Sequence, residues 1–356
     1  MGLPSVIISF KDTGITAIKR GERGIVTLVL KDNVEALESH VVITVADIPE
    51  ELNDENKEQV ELALLGYQTP PKKVVLVVIP EEAANYNDAM NYLETIRWDY
   101  LAIPGIQTVD VTKVASWVKS LNETKDKKVK AVLPNSKSDH ESIINFTSNN
   151  IVTATKTYTT AEYCGRIAGM LAGTPMTISA TFAPLNEVLD FDKLTKDEMD
   201  KSIDAGELIL YNDGEKVKIA RAVNSFVTTV QGKGDSFKKC KLIDAMHMIH
   251  DDIKKTAEDS YLGKYANSYD NKCLLITAIQ GYLDQLVLDG ILDNSYNNAV
   301  YIDVDAQRVW LKSTGVNVDD MDDLAVKKAN TKDLVFLAAN IKILDAIEDI
   351  KLDITI

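Results

Sequence analysis

The chain has 356 residues, of which 45% are hydrophobic and 26% are charged, and its formal net charge is −15. These values are ordinary for a globular protein of about two domains, and the acidic balance argues against binding to nucleic-acid phosphates. No apolar run approaches the roughly 20 residues that span a bilayer, and the three widely spaced cysteines fit reduced thiols in a cytoplasm rather than a disulfide framework or a zinc site.

The N-terminal stretch places Val6, Ile8 and Phe10 on one face of a predicted strand, with no hairpin turn to supply a neighbour. Strands and helices then alternate as far as Ile151, which is typical of βαβ units and a mainly parallel sheet. The predicted strands are 24–30, 41–45, 73–79, 100–103, 129–133 and one near Ile151, and the predicted helices are 54–65, 86–96 and 112–122.

The next helix carries Gly165, Gly169 and Gly173, which are spaced by four and fall along one stripe. Because glycine costs about 1 kcal/mol relative to alanine inside a helix, three in register predict very close approach of another backbone, in a core or an interface. A membrane dimer face is disfavoured because the apolar stretch is short and contains Arg166. The pair Thr174-Pro175 ends the helix.

The second half predicts a mixture of strands and helices and ends in a strand. Ile350, Leu352, Ile354 and Ile356 alternate with polar residues, again without an upstream hairpin turn. Both terminal strands therefore need a partner, which is either the chain's own sheet or another copy of the protein. The elements before this strand are strands 176–182, 208–211, 217–228, 299–304 and 308–311 and helices 195–206, 236–259, 271–288 and 321–329.

The sequence signals for catalytic or ligand-binding residues are weak. No phosphate-binding glycine motif is present, and Gly232-Lys-Gly234 is typical of a hairpin loop. The polar loop around His140 follows a strand end but lacks a nucleophile elbow. His247 and His250 lie one turn apart beside an apolar stripe, where a structural role is commoner than metal binding. We therefore predict no catalytic residue, cofactor or metal.

Several motifs, taken in order, carry a resemblance to a known family. They run from Arg23 to Lys264 and are followed by two predicted helices and the alternating terminal strand. The motifs are Arg23-Gly-Ile-Val, Asp139-His-Glu-Ser-Ile-Ile-Asn, Arg166-Ile-Ala-Gly-Met-Leu-Ala-Gly-Thr-Pro, Ile203-Asp-Ala-Gly-Glu-Leu, Val217-Lys-Ile-Ala-Arg-Ala-Val-Asn-Ser, Asp251-Asp-Ile-Lys and Tyr261-Leu-Gly-Lys. The chain resembles the contractile tail sheath proteins of phages and phage-tail-like bacteriocins, as a compact member.

The resemblance implies a fold of α/β and α+β type with extended terminal strands donated to neighbouring subunits. The implied parts are an N-terminal arm (1–20), an outer α/β domain (21–185), an inner C-terminal core domain (186–345) and a C-terminal arm (346–356). Lys327 and Lys328, just before that arm in an otherwise acidic chain, are candidates for contact with the tail tube.

The implied function is structural: stacked hexameric rings around a tail tube contract and drive the tube through a cell envelope, without nucleotide. The implied partners are further copies of the chain, the tube, the baseplate and the tail terminator, with no nucleic acid and no membrane insertion. Assembly in the bacterial cytoplasm would precede release as a particle. The alternative is a cytoplasmic α/β enzyme with an oligomerisation domain.

Overall fold

The structure, a computed structural model, describes residues 17–355. The chain folds as two compact units. Among the described residues, the larger unit comprises 21–251 and 344–355, and the smaller unit comprises 17–20 and 252–343. These units have no boundary near residue 185, and the four-part division inferred from the resemblance stays a prediction.

The larger unit is built from strands that alternate with helices. Its strands are β1 (Ile25–Asp32), β2 (Glu38–Val42), β3 (Lys73–Pro80), β4 (Tyr100–Ala102), β5 (Lys130–Pro134), β6 (Ile143–Phe146), β7 (Ile151–Thr153), β8 (Thr157–Tyr158), β9 (Val188–Asp190), β10 (Glu207–Leu208), β11 (Leu210–Asn212) and β12 (Val217–Ile219). Its helices are α1 (Asp54–Leu64), α2 (Asn87–Thr95), α3 (Thr108–Glu123), α4 (Thr160–Ala172) and α5 (Lys196–Asp204).

Seven of these strands form one sheet in the order β10-β6-β5-β4-β1-β3-β2. Neighbouring strands are parallel except β2, which pairs antiparallel with β3. Strands β8, β7 and β9 form a second sheet, and β11 pairs with β12 across the predicted Asn212-Asp-Gly214 turn. The mainly parallel α/β sheet predicted from the sequence is confirmed.

The sheet is buried on both faces, which explains why β1 and β3 are almost continuously apolar. Along β3, Val74, Leu76 and Val78 join one core cluster and Val75 and Val77 the other. The first cluster includes buried residues of α1 and α4, and the second includes residues of α2 and α3. The strand period of two therefore assigns alternate side chains to two separate cores.

Two predicted strands are wrong. Residues 176–182 form turns instead of a strand, and Phe182 takes a left-handed conformation with φ 58°. Residues 308–311 lie inside a helix, which begins at an N-cap where the side chain of Asp303 accepts a hydrogen bond from the Ala306 N–H (2.9 Å). In both stretches β-branched and aromatic residues favoured strand by propensity, but the local hydrogen bonds of the folded chain decided otherwise.

Other boundaries also differ from the prediction. The strand predicted over 217–228 ends at Ile219, and β6 was missed. The terminal stretch 350–355 is not in a strand within this single chain. A strand forms only when another backbone pairs with it, so a strand at this position needs a partner beyond the described residues of this chain.

In its described residues the smaller unit is mainly helical and holds one two-stranded antiparallel sheet. Helix α6 (Cys240–Ser260) has residues in both units. The elements that follow are α7 (Tyr269–Leu288), β13 (Ala299–Ile302), α8 (Val304–Ser313), α9 (Asp323–Lys328) and β14 (Leu337–Asn340). Strand β14 was not predicted, although its pairing with β13 covers all four residues of each strand.

Candidate assembly surface

The C-terminal arm has two parts with opposite surroundings. We call residues 344–349 the arm root and residues 350–355 the arm tip. In the tip, Ile350 is 81% exposed and Leu352 and Ile354 are each 75% exposed. Ile356, the last residue of the predicted strand, lies outside the described residues. The three described apolar side chains of the tip are therefore not buried by their own chain.

The arm root is held on the larger unit by a buried carboxylate. The side chain of Glu348 is only 6% exposed. Its Oε1 accepts hydrogen bonds from the hydroxyls of Thr181 (2.6 Å) and Ser179 (3.0 Å), and its Oε2 lies 3.3 Å from the ammonium of Lys239. A carboxylate is buried at low cost only with partners of this kind, so Glu348 has a built socket.

Further polar contacts flank that socket. Asp349 and Arg221 form an ion pair of 2.7 Å, which lowers the pKa of Asp349 and raises that of Arg221. Lys239 also pairs with Asp345. Burial acts to lower the pKa of Lys239, but its hydrogen bond to Asp345 and the charges of Asp345 and Glu348 outweigh burial and raise the pKa.

The two-stranded sheet of the smaller unit has one covered edge. The N–H of Val300 in β13 donates to Oε1 of Gln280 on α7 (3.2 Å), and the amide of Gln280 donates to the carbonyl of Asn298 (2.9 Å). Val300 is paired with Ala339 of β14. In an antiparallel sheet, two directly opposite residues either bond to each other or both point their N–H and C=O groups away from each other. Because the N–H of Val300 points away from β14, the N–H of Ala339 points away from β13. Strand addition is therefore possible along β14 and blocked along β13.

The N-terminal segment is also anchored where the structure begins to describe it. The backbone N–H of Lys19 donates to Thr256 Oγ1 (3.4 Å), and Arg20 pairs with Asp289 at 2.5 Å. A cavity of about 590 Å³ lies between Ile18 and α7. The predicted arm residues Val6, Ile8 and Phe10 precede this anchor and lie outside the described residues.

The smaller unit exposes much apolar surface in its described part. Exposed apolar area of this kind marks interaction sites when it is extensive. The most exposed of these side chains are Leu262 (65%), Leu288 (80%), Val309 (71%) and Leu324 (50%).

The candidate tube-contacting lysines lie in the last turn of α9. Lys328 is exposed, and its Nζ lies 5.7 Å from the ring centroid of Tyr269, while Lys327 is half-buried. Positive charge is favourable at a helix C-terminus. Their position is thus explained within the subunit, and contact with a tube stays a prediction.

The glycines of α4 differ from one another. A Cβ added at Gly169 would lie 2.0 Å from the carbonyl oxygen of Ala63 on α1, and one added at Gly173 would lie 2.1 Å from the carbonyl oxygen of Thr69. At Gly165 the nearest atom would be at an ordinary 3.4 Å. Close backbone approach therefore occurs at two of the three positions and lies inside the larger unit.

The polar loop before β6 is hydrogen-bonded to residues 225–228, which are far away in the sequence. Asp139 Oδ1 accepts hydrogen bonds from the N–H groups of Val227 (2.7 Å) and Thr228 (2.9 Å), and the N–H of His140 donates to Ser225 Oγ (3.2 Å). Burial lowers the pKa of His140. These contacts give the loop's polar residues a structural role.

The two histidines of α6, His247 and His250, have different surroundings. His250 lies between the carboxylates of Asp126 (2.9 Å) and Asp251 (2.8 Å), whereas His247 is buried. Burial lowers the pKa of His247 well below its ordinary value, and nearby positive charges lower it further. Among residues 17–355 no group of three His, Cys, Asp or Glu side chains is arranged to hold a metal ion.

A cavity of about 360 Å³, lined by apolar residues and a few charged ones, lies at the amino ends of the parallel strands β1, β4 and β5. There the hydroxyl of Tyr100 donates to Asp244 (2.6 Å), and Lys130 pairs with the same carboxylate at 2.5 Å. Open α/β sheets bind ligands at the opposite, carboxyl ends of their strands. At that end the carboxylate of Asp32 accepts the N–H of Asn53 (2.9 Å) at the start of α1, the place where a bound phosphate would lie.

Two protein-family models match successive parts of the chain. The family models of the phage tail sheath protein central domain and C-terminal domain match residues 81–225 and 232–356. The fold is that of sheath subunits from contractile systems: a sheath tail protein of Desulfitobacterium hafniense matches with a TM-score of 0.70 at 18% identity, covering 85% of this chain and 94% of that one.

A sheath complex of an extracellular contractile injection system in its contracted state also matches, with a TM-score of 0.70 at 12% identity, covering 100% of this chain and 98% of that one. A tail sheath protein of Clostridium phage phiCD119 is 36% identical over 99% of this chain and 98% of its own length. The chain belongs to the phage tail sheath protein family. None of its described helices is long and apolar enough to cross a membrane.

Sequence reasoning missed the socket of the arm root and the edge of β14. The acidic residues Asp345, Glu348 and Asp349, directly before the alternating strand, were the available signal for the socket. Their basic partners are at least one hundred residues earlier in the chain. The sequence carries no local mark of that distance.

Proposed function

We propose that this protein is the subunit of a contractile tail sheath that polymerises as stacked hexameric rings around a tail tube. Contraction of the sheath would drive the tube through the envelope of a target cell. Membership of the family and the fold shared with a contracted sheath complex support this function. The observation that carries it is the arm tip, which presents Ile350, Leu352 and Ile354 to solvent beyond an anchored root.

In this proposal the tip is donated to a neighbouring subunit and adds to the open edge of β14. A two-stranded sheet is marginal alone and gains stability from further strands. The backbone groups of Ala339 that point away from β13 would then find partners. The N-terminal arm, with Val6, Ile8 and Phe10, would serve a second neighbour in the same way.

The free energies of burial and ordering explain why a donated arm is stably bound only in a lattice of subunits. Burying the three described apolar side chains of the tip contributes roughly 5–9 kcal/mol. Ordering six backbone residues costs roughly 6–12 kcal/mol. The free energy of docking one arm is therefore close to zero. In a lattice every subunit gives and receives arms, and the high effective concentration of the arms stabilises the contacts.

The remaining partners are the tail tube, the baseplate and the tail terminator. Lys327 and Lys328 are the proposed tube contacts, and the subunits would assemble in the bacterial cytoplasm before release in a particle. Neither nucleotide nor metal enters this mechanism, because the work of contraction comes from the difference in stability between two polymer states.

The test is a chain that ends at Asp349. Because the tip is exposed in the subunit, this truncated protein is expected to fold with an unchanged melting temperature and to form no tubes by electron microscopy. Replacing Leu352 and Ile354 by Asp is expected to give the same result, since charges would enter the buried face of the joint.

A matched control changes the polar face of the same strand. Lys351→Gln with Asp353→Asn is expected to leave tube formation intact. Tubes formed by the truncated protein, or loss of its folded monomer, would contradict the donated strand.

A further inference from the structure

The arm root reverses the usual distribution of polar and apolar side chains. The side chain of Glu348 is only 6% exposed, whereas Ile347 beside it in the root is 87% exposed and Ile350 at the start of the tip is 81% exposed. Apolar burial therefore does not hold this segment on the larger unit. Polar contacts hold the root on the larger unit instead. The polar side chains of the root therefore bind their own subunit, and the exposed apolar side chains stay available to another chain.

The socket is specific for a carboxylate at this position. Two hydroxyls and one ammonium converge on Glu348, and Thr181 is itself fixed because its Oγ1 accepts the N–H of Ala222 (3.0 Å). The ammonium of Lys241 donates to the carbonyl of Leu344 at the start of the root. Polar contacts therefore hold the root on the larger unit near both of its ends.

We infer that the arm root is a latch that keeps residues 344–349 docked on the subunit that donates the arm, so that the arm hinges between Asp349 and Ile350. This inference rests on the proposed function. Without the latch the arm would hinge after Ile343, where the chain leaves the smaller unit.

The position of the hinge sets the reach of the arm. Residues 350–356 extend at most roughly 23 Å, whereas residues 344–356 would extend roughly 43 Å. Because effective concentration falls with about the −3/2 power of tether length, releasing the latch dilutes the tip about 2.5-fold at its acceptor. A latched arm is therefore aimed at a near neighbour.

The test measures the position of the root in the monomeric subunit. Spin labels are placed at Lys113→Cys on α3 and at Ile347→Cys, both exposed positions of the larger unit, with Cys273→Ser as background. We expect a narrow distance distribution in the parent protein. We expect a broad one after Glu348→Gln with Asp349→Asn, which removes both carboxylates from their partners.

The control Asp353→Asn removes an acidic charge from the tip and is expected to leave the distribution narrow. A second readout is the lowest protein concentration that supports tubes, which should rise about 2.5-fold in the latch variant and stay unchanged in the control. A broad distribution in the parent, or a narrow one in the latch variant, would overturn the latch. An unchanged tube threshold in the latch variant would overturn its role in aiming the arm.

Failure of the latch is distinguishable from failure of the proposed function. The chain that ends at Asp349 keeps the whole root. If that protein still formed tubes, strand donation would fail while the label distance could remain narrow.

Discussion

The contact between α4 and α1 makes a quantitative prediction at Gly169. A Cβ there would lie 2.0 Å from the carbonyl oxygen of Ala63 and 2.7 Å from its carbonyl carbon. Contacts between such atoms are normally about 3.5 Å, so the two helix backbones would have to separate by about 1 Å or more. Overpacking of this kind costs about 1–3 kcal/mol, and rigid backbone on both sides places Gly169→Ala near the upper end.

Gly165→Ala is the matched control on the same helix. Its Cβ would meet Leu28, Gln59 and Pro104 at ordinary distances of 3.4–3.7 Å. Alanine should then contribute about 1 kcal/mol through helix propensity. We expect the melting temperature to fall by about 5–10 °C in Gly169→Ala and to rise by about 2–4 °C in Gly165→Ala, measured by calorimetry. Shifts of the same sign in both variants would refute the close-packing argument.

Three further predictions concern pH, the sheet edge and the tube. Burial lowers the pKa of His247 from its ordinary 6.5, so the unfolded chain binds more protons below that pH and stability should fall as pH is lowered from 7 to 5. Calorimetry should find a shallower fall in His247→Asn, and an equal slope would refute this. Ala339→Pro removes only an outward N–H and should abolish tubes without unfolding the subunit, whereas Ala338→Pro should weaken the sheet itself; tubes formed by Ala339→Pro would exclude that edge as the acceptor. Charge reversal at Lys327 and Lys328 should weaken co-assembly with tube protein in a salt-dependent way, and unchanged co-assembly at low and high salt would remove both from the interface.

Elements with local signals were predictable from the amino-acid sequence alone. Continuous apolar runs predicted β1 and β3, since strands buried on both faces have no polar side. The Asn212-Asp-Gly214 turn predicted the β11–β12 hairpin, and Thr195 predicted the start of α5, where it caps the helix with Glu198. Ordered motifs from Arg23 onward were sufficient for the family, which the comparisons confirm.

Contacts between residues that are far apart in the chain could not be predicted in this way, because they follow from the three-dimensional packing. The glycine stripe of α4 looks uniform in sequence, yet Gly169 meets the backbone of α1 and Gly173 meets the backbone of the loop after α1, whereas Gly165 meets only side chains. Glu348 resembles any acidic residue of a terminal arm until the fold brings Thr181 and Lys239 to it. Local patterns record the period of a strand or helix, whereas such contacts depend on where elements far apart in sequence pack together.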